Sequence, residues 1–327
     1  DHPRAIVLVP TRELVGQVVK NCKLLSHVAK FRSFGLEGRT NRGKVAKQLA
    51  DGPIDILVTT PTTLLSYIED NVLSIADARY LIIDEADSLF DAGWGDDCRK
   101  IIKTIQTITE KRKDYTEKIV VVSATLPRSV HTALDALFPK MIKLTTPSLH
   151  KALPNLKQSF VDLERFQGNR QMALLEVLKK NIKRDDKTLV FCNTKKAVEI
   201  LHRFLGTKNI NALALYKDAP MNRSEALEIF AKPLNENIVN KSGEEQKKTF
   251  DQNILISTDI ASRGIDTTFV DHVILYDFPT SVVDYLHRVG RTARAGQTGK
   301  ATSLIGRKDR MMADRIKRSI REGTVMT

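Results

Sequence analysis

Short runs of Val, Ile and Leu alternate along the chain with longer stretches in which apolar residues recur at helical spacing. The runs are continuously apolar, which is typical of parallel strands that helices cover on both faces. We predict a strand at each run: Ala5–Val9, Asp55–Thr59, Tyr80–Ile83, Ile119–Val122, Thr188–Phe191, Ala212–Leu215, Ile254–Ile256 and Val273–Leu275. Amphipathic stretches such as Arg12–Ala29 are predicted helices. The alternation predicts an α/β fold in which helices flank mostly parallel sheets.

The alternation stops near the middle of the chain, where Pro147 and Pro154 lie in an irregular stretch. A length of 327 residues also favours two domains, at roughly 100–200 residues each. We therefore predict a first α/β domain at 1–147, a linker at 148–154 and a second α/β domain at 155–327. A polar stretch at 232–252 is predicted to be a surface insertion in the second domain.

Charge and composition narrow the function classes. The chain carries 52 Lys and Arg against 39 Asp and Glu, a net charge of +13. This surplus favours a polyanionic partner, either nucleic acid or an anionic membrane surface, although a solvated basic surface is also consistent with it. No apolar run approaches the ~18 residues of a membrane-spanning helix, which excludes that class. The three distant cysteines form neither a disulfide framework nor a zinc set, so we expect a reducing compartment.

Polar residues that follow the apolar runs are the best candidates for chemistry, because ligands bind at the carboxyl ends of parallel strands. The segment Asp84–Asp87 follows one such run. One carboxylate there could hold Mg²⁺ through water while its neighbour orients an attacking water. An ordinary acidic helix start is the competing interpretation.

Two further strand ends carry candidate residues. Ser123 and Thr125 could connect a nucleotide site to the neighbouring domain, or cap the helix after Pro127. In the segment Thr258–Asp266, Gly264 suits a tight turn against a phosphate and Asp266 could accept hydrogen bonds from a ribose. Asp259, taken singly, is equally consistent with a helix N-cap.

Two basic segments complete the candidates. On a helix, His287, Arg291 and Arg294 would line one face, where both arginines could bind a transferring phosphate, and Gly290 would admit a ligand or another backbone. A solvated basic face is the alternative. Near the start, Thr11 and Arg12 could hold a nucleic-acid phosphate, although a Pro-Thr helix start is also ordinary capping chemistry.

Together these five segments resemble the motifs of the DEAD-box RNA helicases, in the family's order and at plausible spacings. The residues Asp84–Asp87 spell the family's name, and the resemblance extends from Ile6 to about Ile305. It implies two RecA-like domains that close around ATP and RNA. It also implies an RNA-dependent ATP hydrolase that uses Mg²⁺.

The resemblance assigns roles to positions of this chain. Asp84 would hold Mg²⁺ through water, Glu85 would activate the attacking water, and Gly264 and Asp266 would bind ATP. Arg291 and Arg294 would reach the γ-phosphate. Coupling between the domains would fall to Asp87, Ser123, Thr125 and His287. RNA would be contacted by Thr11, Arg12, Gly38, Thr60, Arg223 and Thr258.

Some positions depart from the family pattern. The chain begins after the adenine-binding segment and the Gly-rich phosphate loop that family members carry, so we expect it to be inactive by itself. Thr63 replaces an arginine that would contact RNA phosphate. Tyr216-Lys217-Asp218 replaces His-Gly-Asp, and Ala293 replaces a glycine.

More narrowly, the chain is similar to fungal mitochondrial DEAD-box helicases that assist assembly of the large ribosomal subunit. That likeness implies ribosomal RNA and a pre-ribosomal particle as partners and a mitochondrial location; otherwise the cytoplasm or nucleus is expected. Two alternatives stay open. One is a non-catalytic RNA-binding assembly factor on the same scaffold, and the other is a DNA-directed translocase.

Overall fold

The computed structural model describes residues 3–38, 42–91, 95–111, 116–146, 153–181, 186–232, 253–259, 267–294 and 296–326. Two compact units divide the chain, unit 1 at 1–145 and unit 2 at 146–327. Most of the predicted linker, 148–152, and the predicted insertion beyond Lys232 lie outside the described residues.

Unit 1 contains a parallel five-stranded sheet in the order β2-β3-β1-β4-β5. Its strands are β1 (Ala5–Leu8), β2 (Ser33–Leu36), β3 (Ile56–Thr59), β4 (Tyr80–Ile83) and β5 (Lys118–Val121). Its helices are α1 (Arg12–Ser26), α2 (Arg42–Ala50), α3 (Pro61–Glu69), α4 (Ala86–Asp91), α5 (Gly95–Glu110) and α6 (Arg128–Leu137).

The central strands of unit 1 are apolar because helices cover both of their faces. Ile6, Leu57 and Leu81 are fully buried and belong to one core cluster. The parallel register places the last residues of β1, β3 and β4 level with one another. The loops that follow these strands therefore meet at one edge of the sheet, which is the edge that carries the predicted motifs.

Helix α1 ends three residues before the predicted boundary. Thr11 caps its first turn, since the Thr11 hydroxyl accepts a hydrogen bond from the Leu14 amide at 3.3 Å. The helix ends at Ser26, and the residues from His27 to Lys30 are exposed. No packing therefore stabilises a further turn, and the prediction of a helix to Ala29 was wrong.

Unit 2 contains a parallel six-stranded sheet in the order β6-β11-β10-β7-β9-β8. Its strands are β6 (Leu156–Asp162), β7 (Thr188–Phe191), β8 (Leu213–Leu215), β9 (Ile254–Ser257), β10 (His272–Leu275) and β11 (Gly299–Ile305). Its helices are α7 (Arg170–Asn181), α8 (Lys195–Thr207), α9 (Arg223–Ala231), α10 (Val282–Val289) and α11 (Arg310–Glu322). Both units have the predicted α/β architecture.

Three strands, β2, β6 and β11, were not predicted because their residues are not continuously apolar. The clearest case is β11, whose Thr302 and Ser303 are buried. The Thr302 hydroxyl lies 2.9 Å from the Ser159 hydroxyl on β6 and 2.9 Å from His272 Nε2 on β10. Cross-strand hydrogen bonds thus make polar residues tolerable inside the sheet.

Two general features bear on the class of protein. Within the described part of the chain, no helix combines the length and apolarity that a bilayer crossing requires. Cys22, Cys98 and Cys192 are buried free thiols. Burial raises the pKa of Cys98 to about 12, so this thiol is unreactive at neutral pH.

Candidate functional site

The predicted catalytic carboxylates of unit 1 lie at the carboxyl end of β4. The Asp84 amide donates to the Leu8 carbonyl at 3.0 Å, and Asp84 Oδ1 accepts from the Glu85 amide at 2.9 Å. Glu85 has a φ of 49°, a left-handed conformation that a residue with a Cβ adopts at a cost. Such conformations concentrate at functional sites, where the surrounding fold holds them in place.

Asp87 is buried one turn later and connects β4 to the end of β5. The Thr125 hydroxyl donates to Asp87 Oδ2, and the Ser88 amide donates to Asp87 Oδ1 at 2.9 Å. The Asp87 amide donates to Ser123 Oγ at 3.2 Å, and that hydroxyl donates to the Thr125 carbonyl at 2.6 Å. Unit 1 therefore brings Asp87, Ser123 and Thr125 into one hydrogen-bonded cluster.

The alternative role for these hydroxyls, capping of the following helix, is not what the structure shows. Helix α6 has Pro127 at its N-cap and no side-chain capping hydrogen bond. Ser123 and Thr125 bind the segment around Asp87 instead.

A second group in unit 1 collects the predicted RNA contacts. A Cβ at Gly38 would lie 3.1 Å from Thr63 Oγ1 and 3.4 Å from Arg12 Nη2. The Thr60 hydroxyl donates to Thr63 Oγ1 at 2.8 Å. The ends of β1, β2 and β3 thus place one guanidinium, two hydroxyls and a bare backbone side by side. Thr11 adjoins this group as the N-cap of α1.

In unit 2, the predicted single helix through His287, Arg291 and Arg294 was wrong. Helix α10 ends at Val289, with Gly290 as its C-cap, and only His287 lies on the helix. A Cβ at Gly290 would lie 2.8 Å from the Leu286 carbonyl of the same helix. Glycine therefore lets the chain turn closely past the end of its own helix.

The two arginines lie in the turn that follows α10. Arg294 Nε donates to the Gly290 carbonyl at 2.5 Å, and the buried Thr292 hydroxyl donates to the Val270 carbonyl at 2.6 Å. Ala293 has a φ of 56°, the left-handed region in which glycine is easiest to accommodate. The family's glycine at this position matches that backbone, and alanine adopts it at a cost.

Gly299, at the start of β11, lies directly under this turn. A Cβ at Gly299 would lie 2.3 Å from Thr292 Oγ1 and 2.6 Å from the Ala293 amide nitrogen. No side chain fits at this position without moving the turn. The placement of Arg291 and Arg294 therefore depends on Gly299.

Arg288, to which the sequence analysis gave no role, has an extensive hydrogen-bond set. Its side chain is 3% exposed and forms an ion pair with Asp259, whose carboxylate is 2.6 Å from Nη2. Asp259 is therefore the ion-pair partner of Arg288 on α10. The sequence analysis had left open that Asp259 is a helix N-cap.

The other predicted residues of unit 2 divide into described and undescribed positions. Thr258 follows β9, and its amide donates to the Leu215 carbonyl at 3.3 Å. Arg223 begins α9 and is half-buried. Gly264 and Asp266 lie outside the described residues.

Metal chemistry rests on Asp84. Among the described residues, no group of three or more His, Cys, Asp or Glu side chains could hold a metal ion. Asp84 is half-buried at the strand end, with Oδ1 bonded to the Glu85 amide. This donor set suits Mg²⁺ that keeps most of its water and touches the protein through one carboxylate.

Family models match both halves of the chain. The DEAD/DEAH box helicase model matches residues 1–133, and the helicase conserved C-terminal domain model matches residues 169–296. The chain belongs to the DEAD-box RNA helicase family, as its motifs indicated.

Curated relatives and a solved structure agree with this assignment. The chain is 36% identical over 98% of its length to DEAD-box ATP-dependent RNA helicase 39 of Arabidopsis thaliana, of which it covers 49%. It is 34% identical over 98% of its length to a mitochondrial ATP-dependent RNA helicase, mrh4, of Aspergillus terreus, of which it covers 56%. The chain thus spans about half the length of these relatives.

The fold matches that of S. cerevisiae Dbp5 bound to RNA and ADP BeF3. The TM-score is 0.69 at 22% identity, covering 100% of this chain and 76% of that one. This likeness supports the two RecA-like sheets.

Sequence reasoning missed three residues of the site. Arg288 was passed over because its burial depends on the distant Asp259. Asn193, two residues beyond the end of β7, was not considered, although its Oδ1 accepts a hydrogen bond from Arg288 Nη2 at 2.7 Å. Thr63 was noted only as a lost arginine, whereas its hydroxyl lies between Thr60 and Gly38.

Proposed function

We propose that the natural protein is an ATP-dependent RNA helicase or RNA-remodelling ATPase. The observation that carries this proposal is the carboxyl end of β4. There Glu85, with its left-handed backbone, adjoins Asp84, and Asp87 is bonded to Thr125 at the end of the next strand. Membership of the DEAD-box family gives this arrangement its reaction class.

Each carboxylate of unit 1 has a separate task. Asp84 holds Mg²⁺ through water, and the ion, when bound, neutralises charge on the phosphates of ATP. Glu85 orients the attacking water and accepts its proton. The backbone at Glu85 supports this role because it fixes the direction in which the side chain leaves the strand end.

The basic residues of unit 2 stabilise the transferring phosphate. Arg291 and Arg294 supply charge-assisted hydrogen bonds to it, and Gly264 and Asp266 bind the rest of the nucleotide. We assign Asp87, Ser123, Thr125 and His287 to the coupling of nucleotide state to RNA binding.

RNA is bound mainly through its backbone. In unit 1 the group formed by Thr11, Arg12, Gly38 and Thr60 offers hydroxyl donors, a guanidinium and close backbone approach, which suit a sugar–phosphate chain. In unit 2, Thr258 and Arg223 also contact the sugar–phosphate chain. Binding is therefore tolerant of sequence and weakened by salt.

We further propose ribosomal RNA in the mitochondrion as the substrate, with a pre-ribosomal particle as its setting. The support is the similarity to fungal relatives whose names include "mitochondrial", and the net charge of +13. Fractionation of cells and sequencing of RNA crosslinked to the protein test this. Crosslinks confined to other RNA would exclude the ribosomal assignment.

The test of the main proposal is ATP hydrolysis by the natural full-length protein with and without RNA. We expect RNA to stimulate hydrolysis and Glu85→Gln to lower the stimulated rate by at least about 100-fold. Glu110→Gln, an exposed glutamate at the end of α5, is the matched control and should hydrolyse ATP at the wild-type rate.

Two outcomes would contradict it. Equal and negligible rates for wild type and Glu85→Gln, with RNA still bound, would make the protein a non-catalytic RNA-binding factor. Equal stimulation by DNA of the same length would favour a DNA translocase, since the 2′-hydroxyl distinguishes the two nucleic acids.

A further inference from the structure

Arg288 is the most completely bonded charged side chain at the carboxyl end of the unit 2 sheet that the structure describes. Nε donates to Asp259 Oδ1 at 2.7 Å and Nη2 donates to Asp259 Oδ2 at 2.6 Å. Nη2 also donates to Asn193 Oδ1 at 2.7 Å, and Nη1 donates to the Asp277 carbonyl at 2.8 Å. The guanidinium carbon lies 5.4 Å from the centre of the Phe191 ring.

These bonds join three strand ends to one helix. Asn193 follows β7, Asp259 follows β9 and Asp277 follows β10, while Arg288 lies in the last turn of α10. A guanidinium reaches three directions at once because its donors form a rigid planar fork. Lysine, with one small ammonium group, could not reproduce the two parallel bonds to Asp259.

The partners of Arg288 are themselves held in place. Asp277 Oδ2 accepts from the Asn193 amide at 3.0 Å, and Asp277 Oδ1 pairs with Arg170. Asn193 Nδ2 donates to the Phe278 carbonyl at 3.0 Å. The whole arrangement is rigid, so a displacement of Asp259 cannot be absorbed by Arg288 alone.

The two ends of the Arg288–Asp259 pair adjoin groups with different tasks. Thr258, the proposed RNA contact, is the residue before Asp259. Arg291, a proposed phosphate contact, follows Arg288 by three residues, across the Gly290 cap. The pair therefore forms a bonded connection in unit 2 between the proposed RNA contact and the proposed phosphate-binding turn.

We propose that Arg288 is a positioning residue that, through Asp259, couples RNA contact at Thr258 to the placement of Arg291 and Arg294. The proposal rests on the proposed function. Arg288 touches neither ATP nor RNA; it acts by keeping two ligand-binding segments in one fixed relation.

The experiment compares Arg288→Lys, Asp259→Asn and the double variant in the natural full-length protein. The control is Arg310→Lys, which perturbs another ion pair of unit 2, to Asp162 at the end of β6 and to Glu164, neither of which contacts Arg288. Three quantities are measured for each protein: the melting temperature, the exchange rates of backbone amides, and the dependence of ATP hydrolysis on RNA concentration.

We expect Arg288→Lys to speed amide exchange at Thr258–Asp259 and at 289–292. It should also raise the RNA concentration for half-maximal stimulation and lower the stimulated kcat, each roughly tenfold. The double variant should be no worse than the more impaired single variant, because both substitutions break one interaction. Arg310→Lys should change neither RNA dependence nor exchange at these residues, even if its melting temperature falls.

Wild-type exchange in Arg288→Lys, or defects that add up in the double variant, would overturn the proposal. So would an equal loss of RNA dependence in Arg310→Lys, since the effect would then follow from lower stability alone. Absence of RNA-stimulated hydrolysis in the wild type would instead refute the proposed function. The exchange rates would still decide whether Arg288 positions the two segments.

Discussion

The two units fix their candidate residues with different chemistry. In unit 1 the buried Asp87 receives a hydroxyl hydrogen bond from Thr125 and an amide hydrogen bond from Ser88. In unit 2 the buried Arg288 donates two bonds to the carboxylate of Asp259. The first arrangement gives a carboxylate neutral donors, one of them 38 positions away, and the second joins opposite charges 29 positions apart.

This difference indicates how each unit can respond to a ligand. A hydroxyl that donates to a carboxylate contributes about 1.5–3 kcal/mol net and can rotate to another acceptor. Arg288 is 3% exposed, so removal of the Asp259 carboxylate would leave a charge without its counter-ion in a buried position. We infer that the hydroxyl contacts of Asp87 can exchange partners more readily than the ionic contacts of Arg288.

The largest expected effect concerns the phosphate-binding turn of unit 2. Arg291→Gln should lower the RNA-stimulated kcat about 1000-fold, because arginines that neutralise a transferring phosphate contribute at least that much. Steady-state hydrolysis by the full-length protein measures it. Arg203→Gln, an exposed arginine of α8, is the control and should leave kcat unchanged.

A loss below about tenfold in Arg291→Gln would mean that unit 2 contributes little to catalysis. The functional contrast between the units would then disappear.

The second effect is a pH dependence that belongs to unit 2. Burial lowers the pKa of His272 to about 4. The unfolded chain, with an ordinary histidine pKa near ~6.5, therefore takes up the proton first. The stabilisation that depends on a neutral His272 is fully present above pH 6.5. It is lost as the pH falls toward 4, which lowers the unfolding free energy by about 3 kcal/mol.

Urea unfolding of wild type and His272→Gln at several pH values measures this loss. The difference between the two proteins should change with pH, whereas His27→Gln, at an exposed histidine of unit 1, should follow the wild-type profile. An NMR titration of His272 with a midpoint near 6.5 would contradict the burial argument.

The third effect tests the hydrogen-bonded cluster of Asp87, Ser123 and Thr125 in unit 1. Thr125→Val keeps the shape of the side chain but removes the hydroxyl that donates to Asp87, so we expect a loss of about 2 kcal/mol in unfolding free energy. Thr125→Ser retains the donor and should lose less. A larger loss in Thr125→Ser than in Thr125→Val, measured by denaturant unfolding, would show that the methyl group and not the hydroxyl matters.

The smallest effect is a gain in stability. Ala293→Gly should stabilise unit 2 by about 1 kcal/mol, because the left-handed backbone at 293 costs alanine more than glycine. Ala313→Gly, in the interior of α11, should destabilise by a similar amount. Melting temperatures that shift in the same direction in both variants would exclude backbone strain at 293.

Sequence predicted the parts of the fold that depend on local composition. Central strands such as β4 and β10 are continuously apolar because helices cover both faces of the sheet. That pattern can be recognised in the amino-acid sequence alone. Strand β2 contains Ser33 and Gly35 at the edge of the sheet, and β11 contains Thr302, whose hydroxyl has partners on β6 and β10. Their burial depends on neighbours that sequence does not reveal.

The same distinction, between local sequence and contacts that only the fold creates, applies to the candidate site. The segment around Asp84 and the residues Arg291 and Arg294 could be predicted as site residues because their motifs are contiguous. The Arg288–Asp259 pair spans 29 positions, and only the fold brings its members together. The end of α10 at Val289 was missed because helical spacing alone does not show where the chain turns.

Gly299 touches no proposed ligand, yet its missing side chain makes room for the turn that carries Arg291 and Arg294. Every missense change of its codon introduces atoms into occupied space. In a random mutagenesis screen for activity, position 299 should therefore score among the intolerant sites and be mistaken for a catalytic one. A suppressor screen starting from Gly299→Ala should recover smaller residues at 292, which is where the added methyl group would collide.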